Sequence, residues 1–237
     1  MNTVVQDDIR KILEDVMKRH KFAKREMCKE SPMTDNPPVL MIGRTNRDNE
    51  NDSRDETTES AEAYQHKLGL TRAYDVAMLP LIHKEDVFEC YTDAVKMLPI
   101  CEIDFILLAV EGYMRIGENG NPLIGKDDKE PEYEHGDMAK DFAENPFTNV
   151  REGLVVSGVD WNEDTIYMSA CSYTYDDNGV PIYGETSSDV VTLNDENKEM
   201  AEARFTNAML GTMKYLKLAM KAQSFHDLLT DNRADDE

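Results

Sequence analysis

The stretch Ile103 to Met114, IDFILLAVEGYM, is the most hydrophobic passage in the chain and limits what can form around it. Side chains alternate across a strand, so Phe105, Leu107, Ala109 and Glu111 share one face, while Ile106, Leu108, Val110 and Gly112 share the other. Both faces are apolar. Such a strand needs cover on both sides for most of its length, which makes it the central strand of a sheet. Glu111 marks the place where burial is expected to end.

The remaining segments supply the cover. Val5, Ile9, Ile12, Val16 and His20 recur at helical spacing, widened by Leu13 and Met17, and predict an amphipathic helix over about 7–24. Val39 to Arg44 reads as a short strand after two prolines, and 84–98 as a helix that Pro99 ends. The passages 151–159 and 165–175 read as strands. A DDNG turn at Asp176 to Gly179 leads into a return strand from Val180 toward Val191. Asn194 caps a long C-terminal helix striped by Phe205, Met209, Thr212, Leu216, Ala219 and Gln223, with Met200, Met213 and Met220 beside the stripe. The order α, β, α, β, β, β, β, α predicts an α+β domain: an antiparallel sheet of about four to five strands with helices packed on one face. The domain is expected over 1–193, followed by the long helix and an acidic tail over 194–237. That helix is longer than one small sheet needs, so homo-oligomerisation through it is expected.

Two segments have little to bury. Asn46 to Tyr64, NRDNENDSRDETTESAEAY, is expected to be a mobile acidic insertion, and 117–149 a long polar loop. With 48 acidic against 26 basic residues, the net charge of −22 argues against direct binding to nucleic acid or anionic membranes. The longest clean apolar run, Phe105 to Val110, is too short to span a bilayer. Cys28, Cys90, Cys101 and Cys171 form no CxxC pair, so buried thiols in a reducing, cytoplasmic setting are expected, the host cytoplasm if the chain is viral.

Chemistry has few places to sit. Glu111, Arg115, Arg151 and Glu152 are expected to gather where the central strand meets an antiparallel neighbour. Two readings remain open there: an ion-pair network closing the sheet end, or an acid pair for hydrolysis, Glu111 and Glu152, with an arginine as substrate clamp. His135, among Glu132, Glu134 and Asp137, is the only histidine in an acid cluster, but its spacing matches no metal motif. No metal site and no cofactor are predicted, since GxSxG, P-loop and GxGxxG patterns are missing.

The succession DFILLAVEGYM, a charged loop, VREGLVVSGVD, a hairpin and GVPIYG resembles a loose group of short uncharacterised bacterial and phage proteins. Those share an apolar strand ending in Glu plus an aromatic, then an Arg-Glu strand start. The resemblance spans about 84–191 and implies the α+β fold, with no activity attached. The expected function is therefore that of a non-catalytic acidic protein, like a phage accessory protein, binding a protein partner with a basic surface, even as a nucleic-acid mimic. The alternatives are a small hydrolase using Glu111 and Glu152, and a virion or assembly component.

Overall fold

The computed structural model describes residues 3–45, 60–81, 87–117, 122, 137–145, 149–162, 164–196, 198–202 and 204–234. In chain order the elements are α1 (Thr3–Glu30), β1 (Val39–Thr45), α2 (Ala61–Leu68), β2 (Tyr74–Pro80), α3 (Val87–Lys96), β3 (Phe105–Arg115), α4 (Asp137–Glu144), β4 (Val150–Asp160), β5 (Thr165–Tyr175), β6 (Pro181–Thr192) and, after a short 3-10 turn, α5 (Arg204–Ala234). The fold is α+β, with one antiparallel sheet in the order β2-β1-β3-β4-β5-β6.

β3 lies inside the sheet, between β1 and β4, as its two apolar faces require. Phe105, Leu107 and Ala109 pack beneath Ile9, Leu13 and Val16 of α1. Ile106 and Leu108 pack on the opposite side with Met209, Met213 and Leu216 of α5 and Tyr91 of α3. Helices therefore cover both faces, which corrects the one-sided packing expected from the element order. Each fully buried leucine or isoleucine contributes roughly 1.5–3 kcal/mol, and a strand that buries both rows cannot leave either face in water.

The sixth strand is β2, whose sequence YDVAMLP has too weak an alternation to be read as a strand; it forms because β1 offers an edge for it to pair with. α2 begins inside the segment expected to be a mobile insertion. Ser60 caps it by accepting from the Ala63 N–H, and Gly69 closes it in the left-handed region at φ 61°. Its buried Ala61 and Tyr64 pack toward α1, and the Tyr64 hydroxyl donates to Asp15 at 3.1 Å. The rest of that insertion, 46–59, lies outside the described residues. Within 117–149 the structure places α4, a helix where only a loop was expected.

Asn194 does not cap α5. Its side chain instead accepts from the Glu196 N–H within a local turn, and the helix starts at Arg204. The first turns of α5 join the core, while Tyr215 and Leu218 stand exposed on its outer side. Between β5 and β6 the turn closes through Asp176 N–H to Val180 O and Gly179 N–H to Asp176 O, both 2.9 Å, with Gly179 at φ 73°.

Gly43 shows how tightly the α1 face is filled. A Cβ there would lie 2.0 Å from the Phe105 ring, and that ring is itself fully buried against the edge of Tyr74. Gly43→Ala is expected to lower stability by about 1–3 kcal/mol through overpacking. It should appear as a lower urea midpoint with an unchanged slope.

Candidate functional site

At the end of β3 ionisable groups gather around Glu111, but the cations come from α1 and not from the expected Arg115 and Arg151. Val16, His20 and Lys24 lie four residues apart and so form one line on the helix. That line turns from apolar to ionisable as it reaches the far end of β3. His20 and Lys24 are both buried, and they converge on Glu111. The Lys24 ammonium donates to Glu111 Oε2 at 2.5 Å, and His20 Nε2 lies 3.3 Å from Glu111 Oε1. Tyr173 donates its hydroxyl to the same carboxylate at 3.3 Å. Lys24 also reaches Asp35 at 3.2 Å and sits 4.6 Å from the centre of the Tyr173 ring, where the negative ring face favours a cation.

These contacts decide the protonation states. Burial pulls Lys24 down, but the bond and the charge of Glu111 outweigh it and hold the ammonium above its ordinary range. Burial likewise pushes Glu111 up, yet the neighbouring His20 and the bond and charge of Lys24 bring it below the usual glutamate range. Burial and the charge of Glu111 push the Tyr173 phenol up, which keeps it a neutral donor. Glu111 is thus an ionised, occupied carboxylate. A general acid needs the reverse, a carboxyl held protonated by its setting.

Neither arginine considered for Glu111 pairs with it. Arg115 shares its face but stands opposite Val150, four residues further along, about 14 Å at the strand rise of ~3.4 Å per residue. Arg151 stands opposite Met114, so it belongs to the other face, and its guanidinium donates to the Val150 carbonyl at 2.7 Å. Glu152 does share the face of Glu111, opposite Tyr113. Burial and the charge of Asp35 push it up, with Lys24 opposing. His135 lies outside the described residues, and among the described residues no group of three His, Cys, Asp or Glu side chains could hold a metal ion. The four cysteines are free thiols, and no described helix is long and apolar enough to cross a membrane.

His20 and Lys24 went unrecognised as partners because only cations of the sheet strands, Arg115 and Arg151, were considered for Glu111. Their signal was present: two ionisable residues continuing an apolar helical line. Such residues need a buried acid, and Glu111, alone in an apolar strand, needs a buried base.

A second polar group lies at the opposite end of the same face. Asp160 is buried with Oδ1 unpartnered, as is the Tyr167 hydroxyl. Burial and the neighbouring Asp164 push Asp160 up to about 6. Asp8, by contrast, is fully satisfied: it accepts from Thr71 N–H at 2.9 Å, the Thr71 hydroxyl at 2.6 Å and the Tyr74 hydroxyl at 3.2 Å, tying α1 to the turn before β2.

None of the residues around Glu111 lines the open groove of about 760 Å³ on the outer flank of α1. That groove runs between the helix and β6, with Lys18, Lys21, Phe22 and Arg25 on one wall and Ile182 and Tyr183 on the other. The chain matches no protein-family model, no curated protein and no solved structure.

Glu111→Gln leaves the buried ammonium of Lys24 without its main counter-charge and is expected to cost about 3–5 kcal/mol. Replacing both partners (Lys24→Met with Glu111→Leu) should recover most of that loss, a non-additivity read from urea midpoints. Because Glu111 is held below its ordinary range, its contribution is full above the usual glutamate pKa and declines as pH falls through the lowered value. Glu111→Gln should therefore flatten the acid limb of the stability profile.

Asp160 has the opposite sign. Its raised pKa means stability is lost as pH climbs from 3.8 through about 6. Asp160→Asn should gain on the wild type across that window, by up to ~3 kcal/mol at neutral pH, measured by thermal or urea unfolding at several pH values.

Proposed function

We propose that this chain is a non-catalytic protein-binding protein whose acidic surface meets a partner with a basic surface, in the manner of a phage accessory protein. The observation that supports this most is the occupation of Glu111. The one carboxylate embedded in the central strand is ionised, buried and committed to Lys24 and His20, so it serves to anchor α1. The net charge of −22 then supplies the long-range field that steers a basic partner. Homo-oligomerisation through α5 belongs to the same proposal; the exposed Tyr215 and Leu218 on that helix support it.

A hydrolase acting through Glu111 and Glu152 is the second reading. In its favour, the two share a face and their environments move them apart, Glu111 down and Glu152 up. Against it, the lowered carboxylate is already filled by an ammonium.

Two measurements separate the readings. Purified chain immobilised at low salt should capture basic proteins and release them at about 0.15 M salt, where the Debye length has fallen to ~8 Å; salt-independent capture overturns the binding proposal. Glu152→Gln should leave stability at neutral pH unchanged or slightly higher, because it removes a carboxylate the fold holds at a raised pKa. If it also abolishes a hydrolytic activity of the wild-type chain, the catalytic reading stands instead.

A further inference from the structure

We infer that the groove between α1 and the outer edge of β6 takes an extended acidic peptide from a partner protein, added to the sheet as a further strand. This rests on the reading of the chain as a protein-binding protein and gives it a second, separate docking site.

Three observations converge there. β6 is a twelve-residue strand at the end of the sheet order and, among the described residues, pairs with β5 alone. A strand edge presents a row of backbone donors and acceptors that another extended chain can complete. Along this edge Thr186 and Ser188 share the α1 face with their partners Cys171 and Ser169, while Asp189, opposite Met168, turns to the other face.

The second observation is charge. Half of the eight lysines and arginines of α1 pair with acids, Arg10 with Asp7 and Glu14, Arg19 with Asp15, Lys24 with Glu111 and Asp35, and Lys29 with Glu26, while Lys11 donates to the Gly69 carbonyl away from the groove. Lys18, Lys21 and Arg25 are different. Among the described residues none of them forms an ion pair, although acids outnumber bases 48 to 26 in the chain. Lys21 donates to the Thr186 hydroxyl at 2.7 Å and its ammonium lies 5.2 Å from the centre of the Tyr183 ring, and Arg25 donates to the Pro181 carbonyl at 3.4 Å. Glu14, the acid in the groove wall, is bonded to Arg10. A positive strip on so acidic a molecule selects a negatively charged occupant and disfavours a second copy, whose overall charge is the same as its own.

The third is spacing. Lys18 and Arg25 are seven residues apart on the helix, a rise of about 10 Å, which an extended chain covers in roughly three residues. Acids at alternate positions of an added strand would all point to the α1 side and meet this row. The intervening residues would face the side of Asp189 and should be neutral. The exposed Phe22 and Ile182 add an apolar residue to each wall of the groove, which ordinary surface cations lack.

The test uses the whole chain and a fluorescein-labelled peptide of about ten residues alternating valine and glutamate, read by fluorescence anisotropy. Saturable binding is expected, weakened by more than about tenfold in Lys18→Glu/Arg25→Glu. Both positions are exposed, so the urea midpoint of that variant should match the wild type. Methylating alternate backbone amides of the peptide keeps its charge and removes the strand donors; binding to the wild-type chain should then disappear. A methylated peptide that binds equally well overturns the proposal, as does a lysine-for-glutamate peptide that binds as tightly, or no binding at all. Self-association that Lys18→Glu/Arg25→Glu abolishes assigns the edge to a second copy and also overturns it. Capture of basic proteins by the acidic surface is measured separately, so loss of peptide binding with that capture intact rejects only the groove.

Discussion

Lys24 and Glu111 are buried together, and the position of α1 depends on it. Either charge alone under the helix would cost several kcal/mol of desolvation, and each is tolerable only within bonding distance of the other. The apolar stripe of α1 tolerates small slides and rotations over a surface of leucines and valines, since hydrophobic contact has no direction. An ammonium held at 2.5 Å does not. One residue of slip turns the helix by about 100° and carries Lys24 away from the end of β3. The pair, together with the Asp8 bonds at the other end of the helix, therefore selects one docking of the helix among many of similar burial, and Tyr173 donates to the same carboxylate.

That docking gives α1 two rows with different fates. The inner row, Val16, His20 and Lys24, meets the sheet and is neutralised there. The outer row, Lys18, Lys21 and Arg25, lies along β6 and is not. A helix anchored through its inner charges holds its outer charges in place, so the same contact that stabilises the fold also shapes the groove. Function in this molecule is better sought on that outer flank and on its acidic surface than at the carboxylate in the central strand.

Much of the architecture was legible in the sequence. The two-faced apolarity of β3, the extent of β5 and the Asp176–Gly179 turn are local properties, each decided by residues within a few positions. β2 and α2 were not legible because their stability comes from neighbours: β1 supplies the edge, and α1 supplies the cover for Tyr64. Glu111 was singled out from the sequence as the residue that raises a chemical question. Its partners were sought in Arg115 on the same strand and Arg151 at the start of the neighbouring strand, and strand alternation places Arg151 on the wrong face.

The sequence alone determined that this chain must build an α+β sheet around one strand buried on both sides, because side-chain periodicity records which sides of an element avoid water. It also singled out the isolated acid Glu111 in that strand, with an ion pair and an acid pair both open. Only the tertiary structure decided that the base is Lys24, 87 positions away, and that among the described residues β6 is an edge beside three cations. Periodicity says that a face is dry or a charge is buried, but not which distant element arrives to cover it. That choice is made when the whole core is packed, since burial and charge pairing are satisfied jointly by elements far apart in the chain.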